Sequence, residues 1–298
     1  MRVIVTGGSG LTGVPLCERL AAKGHEVYNF DLSLGLNVMS ETDLAESFVS
    51  QPPDAVIHLA GDEIDNGTAD AYRLNIYGTL NVLEACRVYK VPTVLVETSS
   101  RVYGEQGATT SGVKTEETAP LMATDPYSVS RICADYLTRS YADNHGLNAV
   151  AVRSISVYGT RNFYSSHIIP STIRSILEDN EPVMYTDGKA RKPYLFDEDY
   201  ADAYITILEN AVDLKGMAVN VSYGRPIPLH AVVQMICELM DVPFSYNLMG
   251  GPSLPSENLD STLLHSLGWR ANYSLKKGLA KTILAFQKQF KEAGFATA

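Results

Sequence analysis

One group of residues in this chain has the types and spacing for proton transfer. Tyr127 opens Pro126-Tyr-Ser-Val-Ser-Arg131, so Arg131 lies one helical turn on and can face the same way. Ser99 stands in Thr98-Ser-Ser-Arg-Val-Tyr-Gly104, directly after an apolar run. A phenol gives and takes a proton when a cation stabilises its anion. By spacing alone, however, Tyr and Arg four residues apart also describe an ordinary solvated helix face.

A second group fits phosphate binding. Met1 to Thr6 is apolar and β-branched, Gly7-Gly-Ser-Gly-Leu-Thr-Gly13 follows, and Val14 to Leu20 reads as a helix. Glycines at 7, 10 and 13 permit a tight turn, backbone approach to a pyrophosphate and close helix–strand packing. The helix then presents its first amides to the phosphates. About twenty residues on, a second strand ends at Asp31, an acid placed to bind an adenosine ribose and repel a 2′-phosphate. Leu32-Ser-Leu34 offers no arginine to a phosphate, so the residues read as an NAD site rather than an NADP site.

The elements that must carry these groups alternate. Strands are expected at 1–6, 24–31, 55–60, 92–97 and 149–153, with helices at 14–20, 43–49, 72–89 and 126–145. Such alternation predicts an α/β fold, a Rossmann-type doubly wound parallel sheet with a smaller C-terminal α/β substrate lobe. The domains expected are 1–160 for the cofactor and mainly 161–298 for substrate, with part of 190–215 returning to the first. Helices are read at 167–180, 199–210, 229–240, 259–266 and 275–292, and strands at 182–185 and 218–222. Gly61 to Thr68 is a polar loop at a strand's carboxyl end, where ligands of parallel sheets bind. Met249 to Ser256 is a breaker-rich loop. His58 reads as a packed core histidine.

Length and composition fit a globular protein with a large core. A net charge of −10 argues against a nucleic-acid or anionic-membrane surface. No apolar run approaches a membrane span, and the first strand starts too early to leave room for a targeting peptide. Cys17, Cys86, Cys133 and Cys237 fit no zinc motif and read as buried free thiols of a cytoplasmic protein. No metal is expected.

The ordered set Thr6-Gly-Gly-x-Gly10-x-x-Gly13, Asp31, His58-Leu-Ala-Gly61, Asn75-x-x-Gly78-Thr79, Ser99-x-x-Val102-Tyr-Gly104 and Tyr127-x-x-x-Arg131 resembles a known family. It is that of the extended short-chain dehydrogenase/reductases, in the NAD-dependent epimerase/dehydratase branch typified by UDP-glucose 4-epimerase. The likeness continues through Arg153-x-x-Ser156-Val-Tyr-Gly159, Tyr194-Leu-Phe-Asp-Glu-Asp199 and Leu267-Gly-Trp269. The resemblance implies NAD in the first lobe and a nucleotide-diphosphate sugar in the second. It makes Tyr127 the base, Ser99 its partner and Arg131 the supporting cation. A sugar hydroxyl loses its proton and the adjacent hydride, and the keto-sugar is reduced on its other face. The cofactor set it implies is Gly7, Gly10, Leu11, Gly13, Asp31, Leu32, Asn37, Val38, Leu59, Ala60, Gly61, Asn75, Tyr127 and Arg131. The substrate set is Ser99, Ser100, Arg101, Tyr127, Ser156 and Lys192. A homodimer through helices 72–89 and 126–145 is implied too, with Tyr72, Ile76, Leu80, Leu83 and Tyr136 as apolar surface.

Several positions depart from the family pattern. Its lysine is Arg131, which keeps the charge but spreads it over a planar fork and gives up no proton. The usual Asn is Ser156, the usual Arg is Lys192, and an Arg-Pro-Gly-Asp segment is replaced by Gly251-Pro-Ser-Leu-Pro-Ser256. Asn37-Val38 stands where an Asp-Ile or Asp-Leu pair often meets the adenine. After Ser99, dehydratases carry Asp-Glu and this chain carries Ser100-Arg101. Elimination and decarboxylation therefore fall below epimerisation. Arg101 either reaches an anionic substrate or pairs with a loop carboxylate. The expected function is NAD-dependent epimerisation of a nucleotide sugar, most simply at C4. Its rivals are a ketoreductase on the same scaffold and a cofactor-binding regulator that has lost catalysis.

Overall fold

The computed structural model describes residues 1–61, 69–107, 115–161, 166–251 and 256–292. Most of the polar loop expected at 61–68, and positions 252–255 of the breaker-rich segment, lie outside these ranges. The first half alternates β1 (Arg2–Thr6), α1 (Gly13–Ala22), β2 (Glu26–Phe30), α2 (Glu41–Ser50) and β3 (Ala55–His58). A long helical run follows: α3 (Ala69–Tyr72), a π-helical segment Arg73–Gly78, and α4 (Thr79–Val88). Then come β4 (Thr93–Glu97), a 3-10 segment Ser100–Gly107, α5 (Pro126–His145) and β5 (Asn148–Ser154). The second half holds β6 (Val157–Tyr158), α6 (Ile168–Leu177), β7 (Val183–Met184), β8 (Arg191–Lys192), β9 (Leu195–Phe196) and α7 (Asp197–Glu209). It ends with β10 (Ala218–Val221), β11 (Ile227–Pro228), α8 (Leu229–Leu239), β12 (Asn247–Leu248), α9 (Thr262–Ser266) and α10 (Leu275–Glu292).

Six strands form one parallel sheet in the order β10-β5-β4-β3-β1-β2. Strand order reverses between β1 and β3, which opens a crevice at their carboxyl ends. Both faces are covered, so the central strand positions are mostly apolar. Val3 and Val5 pack into one layer with Leu16 and Leu20 of α1 and Tyr200 and Tyr204 of α7. Ile4 points the other way, toward Leu44 and Phe48 of α2 and Val82 and Leu83 of α4. A separate core of Ile169, Ile173, Val232, Ile236, Leu279, Ile283 and Phe286 joins α6, α8 and α10 in the smaller lobe.

The doubly wound sheet matches the sequence expectation. The return to the first lobe reaches beyond 190–215, since β10 forms an edge of the large sheet and α7 packs on α1. The helix expected over 259–266 is shorter because Thr115 claims its start. Thr115 N donates to Asn258 O and Asp260 N donates to Thr115 O, each at 2.8 Å. The helix expected over 72–89 widens into a π turn that carries Asn75 inward. Cys86 and Cys237 are buried, but Cys17 and Cys133 are only half-buried.

Asp197 starts α7 and accepts from Thr160 N at 3.1 Å and Glu198 N at 2.8 Å. Burial nonetheless pushes its carboxyl up to about 6. The folded state therefore holds the proton more tightly than the unfolded chain, whose carboxyl titrates near ~3.9. This contribution is full below about pH 4 and is lost as pH rises through 6. Urea unfolding of wild type and Asp197→Asn across pH 4–7 should show the variant gaining on wild type by about 2–3 kcal/mol over that interval.

Candidate active site

The turn after β1 is built on two close approaches. Gly7 has φ of 73°, and a Cβ there would lie 2.7 Å from Ala60 N after β3. A Cβ on Gly13 would lie 2.6 Å from Gly8 Cα and closer still to Gly7 O. Only glycine lets the first turn of α1 sit on this loop. Asp31, at the end of β2, closes the loop from the other side. Its carboxylate accepts from Ser9 N at 3.0 Å, Ser33 N at 2.9 Å and Ser33 Oγ at 2.7 Å. Burial raises the carboxyl, but these donors outweigh it and hold Asp31 below its ordinary range. Asp31 is thus both the cap of the short 3-10 turn Leu32–Leu34 and a wall of the crevice.

The crevice has a volume of about 450 Å³. Gly7, Gly10, Leu11, Asp31, Leu32, Asn37, Val38, Leu59, Ala60, Gly61, Tyr127 and Arg131 all line it. Gly13 and Asn75, also expected there, lie behind the lining. Gly13 supports Gly7, and buried Asn75 supports Gly61 and α5. Thr12, Phe30, Leu36, Leu74 and Glu97 line it as well and were not read from sequence. Phe30 and Glu97 end β2 and β4, so strand-end position was an available signal for these two.

A buried polar chain runs beneath the crevice. Thr79 Oγ1 donates to Asn75 O at 2.7 Å, so it accepts from His58 Nε2 at 3.2 Å. His58 Nδ1 then accepts from Thr6 Oγ1 at 2.7 Å. Burial, helped by the nearby Arg131 charge, pushes His58 down to about 3 and keeps it neutral. It is a core histidine, as expected. Asn75 Nδ2 donates to Ser130 Oγ at 2.9 Å, and Ser130 Oγ donates to Tyr127 O at 2.6 Å. The π turn thereby grips the first turn of α5.

Arg131 is 4% exposed, and its Nη1 donates to Glu97 O at 3.3 Å. Its guanidinium lies 5.4 Å from the Tyr127 ring centre and directly over Gly61, where any side chain would collide with it. Arg101 lies 5.0 Å from the same ring and pairs with Asp125 at 3.1 Å. Asp125 also caps α5 through Ser128 N at 3.0 Å. Of the two readings of Arg101, the structure shows the loop carboxylate. Tyr127 is therefore half-buried with two guanidinium groups on its ring. Ser99 is 7% exposed at the end of β4, and its Oγ accepts from Arg101 N at 3.2 Å.

A second cavity of about 210 Å³ opens in the smaller lobe. Ser156 and Lys192 line it, together with Tyr158, His167, Ile168, Pro170, Tyr194 and Phe286. Ser100 is tied to it through Glu257, whose carboxylate accepts from Ser100 Oγ at 3.0 Å and Lys192 Nζ at 2.9 Å. Glu257 was missed from sequence; nothing local marks it, since it meets Ser100 across 157 residues. Tyr127 lines the crevice, and Ser99 is linked to it through Arg101, whose backbone N–H donates to Ser99 and whose guanidinium lies on the Tyr127 ring. Among the described residues no cluster could hold a metal ion, and no helix is long and apolar enough to cross a membrane.

The crevice fits a dinucleotide. Its glycine turn leaves room that any Cβ would fill, Asp31 lies at one end and Arg131 at the other. A model described as the NAD dependent epimerase/dehydratase family matches residues 3–222. The chain is 29% identical over 275 residues to the dTDP-glucose 4,6-dehydratase of Neisseria meningitidis, covering 80% of this chain and 76% of that one. It is 27% identical to the UDP-glucose 4-epimerase of Mycolicibacterium smegmatis, over 97% of this chain and 99% of the relative. Its fold is similar to the crystal structure of Thermus thermophilus UDP-glucose 4-epimerase in complex with NAD, with TM-score 0.87 and 24% identity over 96% and 99% of the two chains. The chain belongs to the NAD-dependent epimerase/dehydratase family, and NAD is its cofactor.

Proposed function

We propose that this chain epimerises a nucleotide-diphosphate sugar, most simply at C4, through a transient keto-sugar. The observation that carries the reading is Tyr127, which lines the NAD crevice with the Arg131 guanidinium on its ring. The relatives named above, acting on dTDP-glucose and UDP-glucose, support a nucleotide sugar as substrate. NAD, when bound, supplies a reversible hydride acceptor. Tyr127 takes the proton of the sugar hydroxyl and later returns it. Ser99 holds the same oxygen by a hydrogen bond. Arg131 keeps a permanent positive charge beside the phenol, so the proton can leave and come back. Asp31 would hold the adenosine ribose, and Ser156 and Lys192, with Ser100 and Arg101, would hold the sugar nucleotide.

Elimination of water needs an acid and a base beside the sugar. The positions after Ser99 hold Ser100 and Arg101, and the carboxylate that reaches Ser100 from elsewhere is already held by Lys192. A carboxylate paired with a lysine is a poor proton donor. Proton NMR of UDP-, dTDP- and GDP-hexoses incubated with the NAD-loaded protein tests the reading. Interconversion of C4 epimers without net cofactor consumption is expected. Cofactor oxidised in proportion to product would identify a reductase instead.

A cytoplasmic homodimer completes the proposal. The helical face carries Tyr77 and Tyr136, both more than half exposed, while Leu83 belongs to the part of the expected set that faces the sheet. Light scattering at micromolar concentration should give twice the 32.5 kDa chain mass. Isothermal titration should show NAD binding more tightly than NADP, and Asp31→Ala should weaken NAD by about 10- to 100-fold and narrow that preference. Tyr127→Phe should lower kcat by about 10²- to 10⁴-fold with NAD still bound. Arg131→Ala should damage both turnover and cofactor binding, and Arg131→Lys should restore NAD affinity. Full turnover in Tyr127→Phe would remove this mechanism.

A further inference from the structure

Lys192 is the cation of the smaller cavity, and a carboxylate of the chain itself already sits on it. Lys192 Nζ and Glu257 Oε1 are 2.9 Å apart, with the two side chains only 20% and 13% exposed. The other Glu257 oxygen accepts from Ser100 Oγ at 3.0 Å. The backbone around Glu257 is fixed to both lobes. Glu257 N donates to Arg191 O at 2.9 Å, Arg191 N donates to Ser256 Oγ at 2.9 Å, and Asn258 O accepts from Thr115 N at 2.8 Å. Burial, and then the Glu257 charge, push the hydroxyl of neighbouring Tyr194 up.

A diphosphate entering this cavity meets a lysine whose charge is already satisfied and a like charge beside it. One ammonium in a shielded cleft cannot serve both anions fully, and the carboxylate repels the phosphates. We propose that Glu257 is an internal competitor for Lys192 that an anionic substrate must displace, making it a specificity-determining residue for diphosphate-bearing ligands. The proposal rests on the sugar-nucleotide reading above. A ligand with the charge of a diphosphate takes Lys192 from Glu257, whereas a neutral sugar leaves the pair intact. Displacement also releases the Ser100 hydroxyl, one residue from Ser99, so occupancy at Lys192 is felt at the end of β4.

Isothermal titration of the NAD-loaded protein with UDP, dTDP and GDP tests this. Glu257→Gln removes the competing charge at nearly constant shape, and should bind the preferred diphosphate about tenfold more tightly than wild type. In a Lys192→Met background the same substitution should give little gain, because the contested cation is gone. A purely structural Glu257 gives the opposite sign, with weaker binding and a lower Tm. Unchanged or weaker affinity in a folded, NAD-binding Glu257→Gln overturns the proposal. If that variant does not fold, Glu257→Asp withdraws the carboxylate by one methylene and should bind more tightly by a smaller factor; unchanged or weaker affinity there overturns it equally. Diphosphate binding by wild type with no gain in either variant leaves the sugar-nucleotide reading standing. Binding of no nucleoside diphosphate by any form removes that reading and the competitor with it.

Discussion

The buried ion pair of Arg153 and Asp135 holds α5 and the segment after β4 in register. Arg153, 1% exposed on β5, meets Asp135 of α5 through Nε at 2.7 Å and Nη2 at 3.0 Å. Its Nη1 donates to Tyr103 Oη at 2.9 Å and to Glu117 O at 2.8 Å. Tyr103 in turn donates to Asn220 of β10 at 2.7 Å. One guanidinium therefore joins α5, which carries Tyr127 and Arg131, to the segment that follows Ser99 and to the sheet edge. Burial opposes its charge, but the bidentate carboxylate wins and keeps it cationic. Removing one partner of such a pair costs about 3–5 kcal/mol, since the other charge stays buried. The network fixes a helix and a strand end, rather than a flexible loop, beside the crevice.

Backbone contact complements that electrostatic tie. The absence of side chains at Gly7 and Gly13 lets β1, β3 and the start of α1 meet closely enough to form a phosphate-sized turn. Gly61 extends the same logic to the far end of the crevice, where the missing side chain admits the Arg131 guanidinium. Under it, Thr6, His58, Thr79, Asn75, Ser130 and the Tyr127 carbonyl form a continuous buried hydrogen-bonded chain. A neutral histidine in that chain fixes each donor direction, so the floor of the site is rigid without carrying a second charge next to Arg131.

Charge in the site is arranged in matched pairs. Asp125 balances Arg101 at the rim, and Glu257 balances Lys192 in the smaller cavity. Arg131 donates to the Glu97 carbonyl and lies against the Tyr127 ring. The guanidinium beside the Tyr127 ring thus sits in a different setting from the cations of these two pairs.

The sequence by itself determined the sheet, the glycine turn, Asp31, and the Tyr127–Arg131 pairing on one helix face. Each is a local property: strand and helix periodicities are written in consecutive residues, a turn needs glycine where it needs it, and residues four apart on a helix are neighbours by geometry. Twelve of the fourteen expected cofactor residues line the crevice, ten of them in segments that follow β1, β2 and β3 and two on the first turns of α5. Tertiary structure decided what depends on distant segments meeting. The return of β10 to the large sheet, the π turn that delivers Asn75 to Ser130, and the shortening of α9 by Thr115 all follow from contacts across the chain. Above all, Glu257 reaches Ser100 and Lys192 because folding closes the smaller lobe onto the end of β4. No periodicity or motif encodes that approach: a lone glutamate after a breaker-rich loop acquires its role only from the cation and hydroxyl that the fold sets beside it.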